Sequence, residues 1–242
     1  MTERDGPLPL LLIVLTGVTG LVDAVSYLAL GRVFVANMTG NVVFLGFAVA
    51  NSPDLSIPPS LWSLAAFLAG AFSAGVIGAG TGEHRGRLLA VSSALQVCLV
   101  AGALALVVVR SPSPVAPLRY ALIVLLALAM GLQNATVRRL GVPDLTTTVL
   151  TMTLTALASD AALPGGKTPR PGRRLLSTGT MFLGAAVGAL LAIHAGAGVV
   201  LALALAMLLA TAMASGRYWF SQAAWTLARP QLPVDNTARQ TP

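Results

Sequence analysis

The chain has 242 residues, of which 56% are hydrophobic and only 10% charged, with one cysteine and a net charge of +7. A soluble domain carries about 25% charged residues, so a soluble protein is excluded. The basic residues flank apolar runs, which is the pattern of a membrane protein rather than of a nucleic-acid surface. The lone Cys98 leaves no intramolecular disulfide and no multi-cysteine metal site.

In chain order, residues 1–7 form a short tip whose sequence, MTERDGP, has no net positive charge. The apolar run that follows therefore predicts a retained helix and not a signal peptide. Segment one covers residues 8–30 and holds Asp23; segment two covers 33–50 and opens through Asn37, Thr39, Gly40 and Asn41. After the Pro-rich loop 51–60 come segment three (61–80), the basic loop 81–87 and segment four (88–109). Residues 110–117 link to segment five (118–137), and segment six spans 145–162. The basic loop 164–174, segment seven (175–193), segment eight (195–214) and a polar tail (216–242) close the chain.

The chain reads as two repeats, 8–109 and 118–215. Gly20-Leu21-Val22-Asp23-Ala24 matches Gly131-Leu132-Gln133-Asn134-Ala135, and Leu30-Gly31 matches Leu140-Gly141. Small residues recur every fourth position at Gly70, Ala74 and Gly78, and again at Gly184, Gly188 and Ala192. Such a stripe lets helix backbones approach closely. If all eight segments cross, with the N-terminus inside, ten Lys/Arg fall inside and five outside. If segments two and six dip in and return, the inside holds twelve and the outside only Arg32, Arg110 and Arg119. The orientation bias favours the second arrangement. The expected architecture is thus all-α and polytopic, with inverted repeats of three spans each and two short re-entrant or broken segments. The location expected is the bacterial cytoplasmic membrane, with both termini in the cytoplasm.

Asp23 is the acidic residue deepest in a long apolar run, where a carboxylate marks an ion or proton pathway or else caps a break. Its expected ion partners are Arg32 or Arg138. In segment six, six of the eleven residues from Leu145 to Thr155 are threonines. Thr147, Thr151 and Thr155 share a helical face and offer hydroxyls without a charge. Paired short segments interrupted by Gly or Pro point to a transporter's binding site. The candidate substrate-binding set is therefore Asp23, Asn37, Thr39, Gly40, Asn41, Gln133, Asn134, Thr147, Thr151 and Thr155. Gln96 reads as a lone polar side chain making an interhelical hydrogen bond. Arg217-Tyr218-Trp219-Phe220 reads as an interfacial belt. No metalloprotease, hydrolase, Walker or Rossmann spacing occurs, so no catalytic, cofactor or metal residue is expected.

The stretches GLVDAVSYLALGRVFVANMTGN (20–41) and AMGLQNATVRRLGVPDLTTT (129–148) resemble the bacterial YoaK-like membrane family, over about residues 8 to 215. The resemblance implies about six membrane spans and brings no established substrate. One departure stands out: where the family pattern repeats the Thr39-Gly40 pair, this chain has Thr151-Met152. The function expected is a secondary transporter or permease for a small solute, with segments 33–50 and 145–162 forming a midplane site and Asp23 as a coupling group. The alternative is a structural or regulatory membrane protein that transports nothing. Beyond the lipid bilayer, the partner expected is a small molecule or ion.

Overall fold

In lipid the backbone must satisfy its own hydrogen bonds, so each long apolar run should be a helix. The computed structural model describes residues 5–52, 55–82, 84–110, 116–142, 155 and 171–227. Among these are seven α-helices: α1 (Leu8–Ala29), α2 (Met38–Val49), α3 (Ile57–Gly80), α4 (Arg85–Arg110), α5 (Ala116–Leu140), α6 (Pro171–His194) and α7 (Ala197–Gly216). Six are long and apolar enough to cross a membrane; α2, with 12 residues, is not. At about 1.5 Å per residue α2 spans roughly 18 Å, well short of the ~30 Å hydrocarbon core. Segment six lies outside the described residues except for Thr155. Helix α3 starts four residues before segment three, within the Pro-rich stretch, with proline in its first turn. There the missing N–H costs nothing, because the first N–H groups of a helix have no intrahelical partner.

Contacts among helix ends fix the directions. Asp5, just before α1, lies 3.5 Å from Arg173 near the start of α6. Arg85, opening α4, donates to the carbonyls of Leu140 at the end of α5 and Trp225 beyond α7. One end of the bundle therefore gathers the starts of α1, α4 and α6 and the ends of α3, α5 and α7. This is the basic end. At the opposite, far end, Arg119 near the start of α5 lies against Gly31, just past α1. Since α1 finishes and α3 begins at the far end, the chain between them, including α2, enters and leaves from that side.

Helices α1 and α5 form the centre, with 78% and 61% of their apolar windows buried against 28% or less in the other four spans. Their packing is reciprocal: α1 lies along α6, and α5 along α3. Glycines make both crossings close. A Cβ on Gly131 would strike the Phe67 carbonyl oxygen, and one on Gly70 that of Leu128. A Cβ on Gly20 would strike the Met181 carbonyl oxygen, and one on Gly184 that of Gly17. In every case the carbonyl belongs to the residue three before the partner glycine. All four hypothetical atoms fall under 3.0 Å from it, closer than real Cβ atoms come. Backbones this near pack by dispersion and Cα–H···O contacts, the usual glue of helices in lipid. Gly78 plays a different part, because it accommodates the Arg139 guanidinium and not a neighbouring backbone.

Residues 217–227 fold back over the basic end. The Trp225 ring packs on Gly6 and meets Tyr218 edge-on at 4.9 Å. His84 Nε2 lies 2.9 Å from the Ser221 carbonyl, and Arg87 Nε donates to the Trp219 carbonyl at 3.0 Å. The stretch read as an interfacial belt is thus partly docked on protein, although Phe220 remains 85% exposed.

Candidate functional site

The chain leaves α1 at Leu30 and turns through Gly31 (φ +97°) and Arg32 (φ +55°), a reversal into left-handed backbone that glycine makes easy. It then returns beside α1 and starts α2 after Asn37. The returning backbone from Val33 to Asn37 has no sheet to join, so its polar groups need other partners. Asp23 and Asn41 supply them. Asp23 Oδ1 accepts from the backbone N–H of Val35 at 3.0 Å and of Ala36 at 2.9 Å, and Oδ2 accepts from Asn37 Nδ2. Asn41 Oδ1 accepts from Phe34 N at 2.9 Å, and its Nδ2 donates to Phe34 O at 2.6 Å and to Ser63 Oγ at 3.3 Å. Ser63 Oγ donates to the same Phe34 carbonyl at 2.6 Å, tying the loop to α3.

The level of this clasp follows from helix geometry. Asp23 stands six residues before the end of α1, about 9 Å below the helix end at 1.5 Å per residue. The non-helical stretch is thus drawn into the bundle, and α2 begins at that depth with its N-terminus pointing inward. Irregular backbone at membrane depth persists only where protein buries it or water reaches it. Here Val33, Val35 and Ala36 are buried, while Asn37 and Phe34 are partly exposed. The Phe34 ring stacks on Tyr27 and Phe44, at 5.2 and 5.7 Å between centroids, and lies on Gly40 where a Cβ would collide with it.

Of the residues singled out from the sequence, Asp23, Asn37, Gly40 and Asn41 meet around this loop. Thr39 beside them is exposed. Asp23 pairs with amides and with neither Arg32 nor Arg138: the unpaired N–H groups of the returning chain reach it first. Gln133 is fully buried on α5 and reaches α1 one turn before Asp23, donating to Leu15 O at 3.1 Å and Thr19 Oγ1 at 2.8 Å. Asn134, the counterpart of Asp23, is partly buried and donates to Met130 O at 2.9 Å within its own helix. Thr147 and Thr151 lie outside the described residues; Thr155 is exposed. Gln96 does not bridge helices as expected, because its Nε2 turns back to Ser92 O at 3.2 Å on α4.

Sequence reasoning missed Ser63, which ties the loop to α3, and Thr19, which receives Gln133. It also missed the buried Thr136–Ser92 hydroxyl pair, 2.8 Å apart between α5 and α4. Small hydroxyl residues in apolar runs bond their own helix as readily as a neighbour, so spacing alone did not single them out.

These features define a polytopic helical membrane protein with six apolar helices of spanning length and one shorter apolar helix, α2. Residues 11–214 match the family described as "protein of unknown function (DUF1275)", and the chain belongs to that family. It is 36% identical over 143 residues to the UPF0700 transmembrane protein YoaK of Bacillus subtilis (strain 168). That alignment covers 58% of this chain and 61% of the relative, so the chain spans about three fifths of the relative's length. No solved structure matches the chain.

Proposed function

We propose that the protein is a secondary transporter or permease for a small solute, and not an enzyme, in the bacterial cytoplasmic membrane with both termini inside. The observation that carries this reading is the non-helical stretch Val33–Asn37, drawn about 9 Å below the end of α1 and followed by a short helix starting at that depth. Broken segments of this kind line the binding sites of transporters built from inverted repeats. The inverted relation is supported by opposed helix directions, since α1, α3 and α4 run opposite to α5, α6 and α7 respectively. The reciprocal glycine crossings support it as well. The excess of basic residues at one end favours a cytoplasmic basic end.

A second reading, a membrane scaffold, draws on one observation: both oxygens of Asp23 are engaged by the loop, as expected of a purely structural cap. Water access separates the two. Single cysteines at Asn37, Met38 and Thr39, in a Cys98→Ala background, would be exposed to a membrane-impermeant maleimide in right-side-out and inverted vesicles. A transporter gives labelling of at least one position from both sides. A scaffold gives labelling from the far side only, and that result would remove the transport reading.

A further inference from the structure

The centre of the bundle holds a second polar cluster that the re-entrant loop does not use. Ser92, Ser93 and Gln96 on α4, Gln133 and Thr136 on α5 and Thr19 on α1 are all fully buried. The Ser92–Thr136 bond and the Arg85–Leu140 bond set α4 and α5 antiparallel, in a register that puts Gln96 at about the level of Gln133. Three oxygens of this cluster, Ser93 Oγ, Gln96 Oε1 and Gln133 Oε1, are buried with no hydrogen-bond partner among the described residues. The amide orientations are not interchangeable. Gln96 faces the Ser92 carbonyl and Gln133 the Leu15 carbonyl, and a carbonyl only accepts, so nitrogen must occupy those contacts. The unused amide groups are therefore acceptors. A buried acceptor without a donor is unfavourable, so each of these groups calls for a partner.

We propose that this α1/α4/α5 junction binds a small solute that brings hydrogen-bond donors and no negative charge, of the class of a primary ammonium or a neutral amide. This rests on the transport reading and specifies what is carried. Each amide oxygen can accept from such a ligand, and the Ser93 hydroxyl can accept or donate. An anion would meet oxygen lone pairs, with no arginine or lysine in the cluster to offset them. The nearest carboxyl group on α1, Asp23, lies one turn away with both oxygens engaged by the loop.

The test uses the full-length chain with Ser93→Cys in a Cys98→Ala background, and reads the rate of modification by a small thiosulfonate reagent in vesicles of each orientation. Methylammonium chloride, urea and sodium formate serve as protectants. The proposal expects saturable slowing by methylammonium, urea or both, and none by formate; which of the two protects tells a cationic ligand from a neutral one. Adding Gln96→Leu should weaken protection at least tenfold. Gln96 bonds only within α4, so this change leaves the Gln133–Thr19 link between α5 and α1 in place. Gln96→Met serves if the leucine variant does not fold. Absence of modification, equal protection by formate, or full protection in the Gln96 variant each overturns the proposal. Protection with access from one side only keeps the site and removes transport; access from both sides without protection does the reverse.

Discussion

Helices α1 and α5 each pass through one of the two close glycine crossings, and they differ where it matters. Both are central, and both carry a glycine pressed against a helix of the other half, Gly20 on α6 and Gly131 on α3. Three residues past that glycine, α1 has Asp23, which turns outward to hold the returning loop. In α5 the same place is Asn134, which donates back to Met130 O, while the preceding Gln133 crosses to α1. The close-packed frame is thus repeated and the polar chemistry is not. Close backbone approach admits only glycine at both crossings, whereas the neighbouring polar positions carry different chemistry.

The largest effects should come from breaking the repeated part. Gly131→Leu or Gly70→Leu forces side-chain atoms into a facing backbone, and Gly20→Leu or Gly184→Leu does the same at the other crossing. Overpacking a dense interior costs about 1–3 kcal/mol and sometimes more, and facing backbone cannot yield as a side chain can. Each variant should therefore lose most of its monodisperse yield in detergent. Tolerance at one crossing and loss at the other would show that the two are not equivalent.

Next in size are changes that remove the clasp. Asp23→Leu strands two backbone N–H groups and the Asn37 amide, at about 1–3 kcal/mol for each buried group, so thermal unfolding in detergent should move down by several degrees at least. Asp23→Asn should cost much less. Its carbonyl oxygen can keep the two backbone donors, and Asn37 can reverse its amide to meet the new NH2. Equal loss in both variants would show that negative charge, and not hydrogen-bond geometry, holds the loop. Asn41→Leu should fall between them, since it removes a paired contact with Phe34 and one with Ser63. Smallest of all is Gly46→Leu on α2, where the space is open. Its effect should stay within about 0.5 kcal/mol; a large loss would mean that α2 is covered in the membrane.

Much of this frame was legible in the chain, because hydropathy and charge report directly on what lipid tolerates. The six long apolar helices follow from run length, and the distribution of arginines set segment two apart from them. The spacing of Gly70, Gly184 and Gly188 marked a close-packing face, but spacing cannot name the partner, and Gly78 in the same stripe faces an arginine side chain instead. Asp23 was identifiable as unusual and its partners were not. An arginine is the obvious counter-charge, whereas the amides come from a reversal at Gly31-Arg32 whose path no periodicity reveals. Gln133 was legible as a polar residue of the second motif, whereas the Thr19 hydroxyl it meets looked like an ordinary small residue of an apolar helix.

The central claim is that the chain returns to the far end after α1, so that α2 does not cross and the second half runs opposite to the first. It is tested most directly by placing single cysteines at Arg32 and Ser56, on either side of α2, in the Cys98→Ala background. An impermeant maleimide is then applied to sealed vesicles of known orientation. The account predicts that both positions are labelled from the same side. Labelling from opposite sides would make α2 a crossing segment and contradict it.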